Sequence, residues 1–185
     1  MDLYRLALFC HVLAAVGLFA ALAVEWLGVR HLRASTSYEQ AREWLQPFKL
    51  LLPLGMPATL VALSSGIYLA TTMSAWELGW VKLAVPTLVV VAITGAIVGP
   101  RRARLSAAIA KGAGPLTADL VAQLRHPLPV ASWRVRFALL AGLLFEMTVK
   151  PDLRGDVIVM GGTALVGLVW SVPLWRTGGE HRAQG

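Results

Sequence analysis

The chain has 185 residues, of which 57% are hydrophobic and only 15% are charged, and its mean hydropathy is +0.65. Soluble domains carry about 25% charged residues, so this composition excludes an ordinary soluble enzyme and favours a membrane protein. The formal net charge of +7 does not indicate nucleic-acid binding, because the basic residues flank apolar stretches instead of covering a polar domain. Anionic lipid headgroups are the expected partner.

The first predicted element is a helix over residues 6–29, whose 24 residues are enough to cross a bilayer of about 30 Å. Its hydrophobicity continues past Ala21–Ala23, which resembles a signal-peptide cleavage site, so we expect the segment to be retained. The polar connection that follows contains Thr36-x-x-Glu39, a capping pattern that predicts a short interfacial helix ended by Pro47.

The second span is predicted over residues 50–72, where Pro53 and Pro57 indicate a kink or unpaired carbonyl groups. The third span, residues 81–99, contains a Gly-x-x-x-Gly pattern that begins at Gly95. This spacing favours the close approach of another helix backbone.

The longest connection covers residues 100–130 and is expected to lie at the membrane interface as part of the same single domain. The apolar residues on one face of its second half are Leu116, Leu120, Val121 and Leu124.

The fourth span, residues 131–150, contains Glu146 and crosses the bilayer only if the arginines at its start reach the interface. The fifth span is predicted over residues 157–175. Its glycines expected in close packing are Gly161, Gly162 and Gly167.

These five spans predict an all-α, polytopic transmembrane helix bundle. Of the 17 lysines and arginines, 13 fall on one side of it, in residues 30–49, 101–136 and 176–182. The basic residues of the other side are Arg5, Lys82, Lys150 and Arg154. Because cationic loops are retained in the cytoplasm, this asymmetry predicts an external N-terminus and a cytoplasmic C-terminus.

Four spans bring polar side chains to one level near the predicted outer surface. His11 lies five residues into the first span, and Ser64, Ser65 and Tyr68 lie in the outer half of the second. Lys82 opens the third span, and Glu146 lies one turn before Lys150 in the fourth. Each also has a structural interpretation, such as an interhelical hydrogen bond for His11 or an i,i+4 pair between Glu146 and Lys150. Their convergence predicts an outer-leaflet polar pocket. The partners expected for Glu25, at the opposite end of the first span, are Arg30, Arg33 or Arg136.

Several short segments suggest a family. They are His11–Gly17, Ser65–Leu69 ahead of Gly79–Lys82, and Phe145–Pro151. These segments resemble small bacterial integral membrane proteins of unknown function, a group similar in pattern to the copper-resistance CopD membrane domain and to HemJ, the haem-binding protoporphyrinogen oxidase. The resemblance implies a multi-pass protein of the bacterial inner membrane, with His11 and Lys82 at the positions of a functional histidine and lysine. The chain departs from the haem-binding relatives in lacking their further membrane histidines.

The leading functional hypothesis is a membrane binding protein or redox helper whose pocket receives a small ligand, haem b or a metal ion. For haem, His11 would be the axial ligand, and Lys82 and Lys150 would pair with anionic groups. For a metal ion, His11 and Glu146 would be ligands. No catalytic residue emerges from the pattern.

Two further hypotheses belong to other classes. The first is a non-catalytic accessory or scaffold subunit of a larger membrane complex or homo-oligomer, in which bulky residues at Gly95 or Gly162 would disrupt assembly. The second is transport, which the interrupted second span would favour.

Overall fold

Seven α-helices make up most of residues 2–180, the part of the chain that the computed structural model describes. They are α1 (Leu3–Ala34), α2 (Tyr38–Leu45), α3 (Leu51–Thr72), α4 (Gly79–Lys111), α5 (Ala118–Leu124), α6 (Leu128–Val149) and α7 (Leu153–Glu180). Short 3₁₀ segments, Gln46–Leu50 and Ala75–Glu77, precede α3 and α4. No β-strand occurs within these residues.

Five helices, α1, α3, α4, α6 and α7, supply segments long and apolar enough to cross a membrane. This finding confirms the predicted all-α, multi-pass bundle. Because the connections between successive spans are short, the spans alternate in direction. We name the end that holds Leu3 and Thr72 the N-terminal end, and the opposite end, which holds α2 and α5, the cation-rich end. Arg182, assigned to the basic side from the sequence, lies outside the described residues.

Small residues let the spans pack closely. The Cβ atom of an alanine at Gly17 in α1 would lie 3.1 Å from the Ala58 Cβ atom of α3. At Gly167 in α7, the added atom would lie 2.9 Å from the Val135 Cα atom of α6. Gly167 therefore has the close-packing role expected from the sequence. Gly161 and Gly162 instead face open space, with no atom within 4 Å of an added Cβ among the described residues.

Two helices continue through prolines. Helix α4 passes Pro100 and ends at Lys111, well beyond the predicted boundary at residue 99, and α3 includes Pro57. Proline removes one backbone donor, but neighbouring helices and hydroxyl side chains make this tolerable in membrane helices.

The connection over residues 100–130 differs from its prediction. Its apolar face is buried against protein instead of facing lipid, since Leu120 and Leu124 of α5 belong to a buried cluster. The other members of this cluster are Leu32, Ala41, Leu45, Leu105 and Ile109. The extensions of α1 and α4 beyond their apolar spans provide the surface that α5 covers, and these extensions were not apparent from hydropathy.

Helix α2 begins one residue later than its predicted capping pattern. The Ser37 hydroxyl oxygen accepts a hydrogen bond from the Gln40 backbone N–H, and the Gln40 side chain accepts from the backbone N–H of Thr36. The arrangement resembles a capping box with Ser37 as the N-cap, except that the Gln40 side chain accepts from Thr36, the residue before the N-cap. A one-residue shift is unsurprising, because Thr36 and Ser37 are both good N-cap residues.

Candidate functional site

A cavity of about 310 Å³ opens at the N-terminal end of the bundle, between α1, α3, α4 and α6. This volume is at the lower end of the range for small-molecule sites. Most lining side chains are aliphatic. The polar and aromatic ones are Tyr4, His11, Trp76, Trp80 and Lys150. The cavity therefore offers an apolar body with a few polar groups at defined positions.

The imidazole of His11 is anchored through one ring nitrogen. Its Nδ1 lies 3.0 Å from the Ala62 carbonyl oxygen and 3.1 Å from the Ser65 hydroxyl oxygen. A carbonyl oxygen only accepts, so Nδ1 carries the hydrogen and donates it. In the neutral ring Nε2 is then the basic nitrogen, with a free lone pair. This is how ligating histidines are commonly oriented, with one nitrogen bonded to a carbonyl and the other left for the ligand.

Gly66 provides the space for this ring. A Cβ atom at residue 66 would lie 3.1 Å from the His11 Cε1 atom and 3.4 Å from Nδ1. The ring would have to move by a few tenths of an ångström to accommodate it. Ser65 and Gly66 of α3 therefore both position the His11 ring. The Ser65 hydroxyl group contacts Nδ1, and the absence of a Cβ atom at Gly66 leaves room for the ring.

The two candidate lysines have different surroundings. Lys150 follows the last residue of α6 in the left-handed backbone conformation, with φ of 51°, and lines the cavity. Its ammonium group pairs with no carboxylate among the side chains that the structure describes, so the i,i+4 pair with Glu146 does not form. Lys82 instead pairs with Glu77 at 2.8 Å on the exposed surface and does not line the cavity.

Glu146 lies behind the cavity wall, where it meets a second carboxylate. Glu146 of α6 and Asp156 of α7 are both 0% exposed and are close enough for their charges to interact. The Glu146 carboxyl group has no hydrogen-bond partner among residues 2–180, whereas the Asp156 carboxyl group faces the Trp80 backbone N–H in the first turn of α4. Asp156 lies against the first turn of α4, where a Cβ atom at Gly79 would be 2.1 Å from its Oδ2 atom. Only a glycine at residue 79 leaves room for this carboxylate.

Of the predicted site residues, the cavity therefore brings together His11 and Lys150. Glu146 is next to Asp156 and does not line the cavity, and Lys82 is on the surface. Within the described residues, no group of three or more histidine, cysteine, aspartate or glutamate side chains is arranged to hold a metal ion.

Sequence reasoning missed several members of this region. The thioethers of Met73 and Met147 reach the cavity, and the Tyr4 hydroxyl lies 3.5 Å from the Met73 sulfur atom. Asp156 was overlooked because it comes one residue before the predicted fifth span. A useful signal was the position of Asp156 in the first turn of α7. From there its carboxylate faces the N-terminus of the neighbouring helix α4, which favours a negative charge.

A second polar centre lies deeper in the bundle, towards the cation-rich end. Arg136 of α6 donates from Nη2 to the Glu25 Oε1 atom of α1 at 2.8 Å, and both side chains are at most 10% exposed. Arg102 of α4 approaches the same oxygen at 3.9 Å. Arg136 was among the partners predicted for Glu25, whereas Arg102 was not. This centre joins three helices through one carboxylate.

Comparisons with known proteins leave the family open: no family model matches this chain, and no curated protein or solved structure matches it either.

Proposed function

We propose that this protein is a membrane binding protein that holds a small, mainly apolar ligand with an anionic group in the cavity at the N-terminal end. The observation that carries the proposal is the anchored His11 ring, which lines the cavity, whose Nδ1 is fixed by Ala62, and whose Nε2 forms no hydrogen bond with the described residues. Lys150, which has no carboxylate partner among the described side chains, supports an anionic group on the ligand. In this proposal the cavity end faces outward, as the basic-residue distribution predicts.

Haem b is the first ligand to test, because its chemistry matches three features of the site. It takes a neutral imidazole nitrogen as an iron ligand and an apolar surrounding for its ring, and one of its two propionates can pair with a cation. His11 would hold the iron and Lys150 would pair with a propionate, and the Met147 thioether also lines the cavity. Haem would supply redox chemistry, while the chain would orient it and shield it from water. Lys82 has no part in this proposal, since it pairs with Glu77 outside the cavity.

The test is ligand binding by the full-length protein in detergent micelles. We expect added haem to bind and give a Soret band. His11→Ala should lower the haem affinity at least about tenfold, which corresponds to the loss of about 1.4 kcal/mol of binding free energy or more. His31→Ala is the matched control. His31 lies on the same helix but stacks on Trp44 near the cation-rich end, with ring centroids 3.8 Å apart, so its replacement should leave the affinity unchanged.

Mass spectrometry of molecules extracted from the purified protein would extend the test to other apolar ligands. The proposal predicts that an extracted ligand is depleted in the His11→Ala and Lys150→Gln proteins but present in the His31→Ala protein. If His11→Ala changes neither haem binding nor the extracted molecules, the cavity is not a ligand site.

A second candidate function, as an accessory subunit or homo-oligomer, is supported by the open faces of Gly161 and Gly162 on α7. Small exposed residues on a membrane helix favour close docking of another helix. We expect Gly162→Leu to shift the protein, extracted in a mild detergent, to a smaller particle on size-exclusion chromatography with light scattering. Gly95→Leu is not a fair test of assembly, because a Cβ atom at residue 95 would point into the bundle, 3.5 Å from Arg136 Nη1. An unchanged particle mass in Gly162→Leu would contradict this candidate.

A further inference from the structure

Four arginines from different elements gather at the cation-rich end of the bundle. Arg33 is near the end of α1, Arg101 is in α4, Arg125 follows α5 and Arg134 is in α6. The guanidinium group of Arg33 lies close enough to those of Arg125 and Arg134 to be repelled by their charges. It also shares a groove with Arg101, between α1, α4 and the α5–α6 connection. We call these four residues the arginine cluster.

No carboxylate among the described side chains pairs with this cluster, although Glu25 lines the groove that Arg33 and Arg101 share. The nearest buried one, Glu25, already pairs with Arg136 and Arg102. Among the side chains that the structure describes, no member of the arginine cluster forms an ion pair. Four like charges without a counterion repel one another, so the folded state favours an anion at this position.

Backbone carbonyls satisfy only part of the cluster's hydrogen-bonding capacity. Arg33 donates to the His126 carbonyl oxygen at 2.7 Å, Arg101 donates to that of Gln123 at 3.2 Å, and Arg134 donates to that of Trp170. Each guanidinium has five N–H donors and no acceptor. The Nε atoms of Arg101 and Arg134 are buried and have no hydrogen-bond partner among the residues that the structure describes. A bound group with several acceptor oxygens would complete these bonds and supply the missing negative charge.

We propose that the arginine cluster binds a phosphate group, and that its natural occupant is the headgroup of an anionic phospholipid. Arginine suits a phosphate group better than lysine does, because the planar guanidinium group can donate two parallel hydrogen bonds to two phosphate oxygens. The surroundings favour a lipid over free phosphate. The guanidinium of Arg134 lies 4.8 Å over the Trp170 ring, and the exposed Val166 and Val169 of α7 provide an apolar surface nearby for an acyl chain.

The experiment measures binding of phosphatidylglycerol by the full-length, delipidated protein, using native mass spectrometry. Arg125→Gln removes an exposed side chain and should weaken binding about fivefold, and Arg33→Gln with Arg125→Gln should weaken it about 30-fold. The matched control is Arg104→Gln with Lys111→Gln. It removes two exposed cations from the same end but outside the cluster, and should change binding less than twofold.

Three outcomes decide the proposal. Preferential binding of phosphatidylglycerol over phosphatidylcholine, lost in the cluster variants and kept in the control, supports it. Equal losses in the cluster and control variants would mean that only general surface charge attracts the lipid, which overturns the site. Inorganic phosphate displacing phosphatidylglycerol at comparable concentration would overturn the lipid assignment. If the double variant does not fold, the single variant Arg125→Gln still tests the site, because it changes only one exposed side chain.

Discussion

Replacing Glu25 by alanine is expected to lower the free energy of unfolding by about 3–5 kcal/mol. The variant leaves Arg136 with its charge buried and without its carboxylate, while the 2.8 Å bond that joins α1 to α6 is lost. Arg102, which approaches the same oxygen, loses its partner as well. Denaturation of the protein in mixed micelles, followed by tryptophan fluorescence, measures the change.

The control for this prediction is a pair of substitutions that removes both charges. Glu25→Gln with Arg136→Met should be markedly more stable than Glu25→Ala, because an uncompensated buried charge costs more than the pair itself contributes. Glu77→Gln removes the exposed partner of Lys82 and should cost only about 0–1 kcal/mol. A loss in Glu25→Ala no greater than that in Glu77→Gln would show that the buried pair does not support the bundle.

The helical spans could be predicted because hydropathy alone defines them. A stretch such as residues 6–29 has no soluble alternative, and each of the five predicted stretches overlaps a helix that is long and apolar enough to cross a membrane. The ends of the helices were harder to predict. Helix α4 continues to Lys111 and α1 to Ala34, since arginines are good helix formers and nothing in their hydropathy marks whether the helix stops at the lipid surface.

The candidate site was only partly accessible from the sequence, because depth along a helix does not reveal direction around it. His11, Glu146 and Lys150 were correctly expected near one end, but the face that each residue presents depends on helix packing. His11 faces α3 and the cavity, whereas Glu146 faces α7 and meets Asp156. A periodicity argument could not separate them, since the spans are apolar on every side.

Hydrogen bonds from polar side chains to backbone atoms were also hard to predict from the sequence. Ala62 and Gly66 carry no polar side chain, yet a carbonyl oxygen and an absent Cβ atom hold the His11 ring. The Glu25–Arg136 pair was among the predictions because only charged residues were candidates for it. Sequence reasoning therefore performs better for ion pairs than for contacts between side chains and backbone.

Glu146→Gln is expected to raise the free energy of unfolding by roughly 1–3 kcal/mol, the opposite of the usual result for a buried polar residue. Glu146 and Asp156 are fully buried and their charges repel each other, and Glu146 has no donor among the described residues. The amide keeps the shape of the side chain, removes the negative charge, and brings two N–H donors towards Asp156. Asp156→Asn should stabilise less, because the Asp156 carboxylate already faces the Trp80 backbone N–H at the start of α4. Each kcal/mol corresponds to a rise of about 2–4 °C in Tm for a chain of this size.

This prediction distinguishes two kinds of buried charge within one bundle. Glu25 has a partner, so removing it should be costly, whereas Glu146 faces a like charge, so neutralising it should be favourable. Thermal unfolding of Glu146→Gln, Asp156→Asn and the exposed control Glu77→Gln in the same detergent compares them directly. A loss of stability in Glu146→Gln approaching that of Glu25→Ala would mean that the carboxylate pair holds a counterion in the native protein. In that case Glu146 and Asp156 would act as ligands of that ion, and their repulsion would not be a cost to the fold.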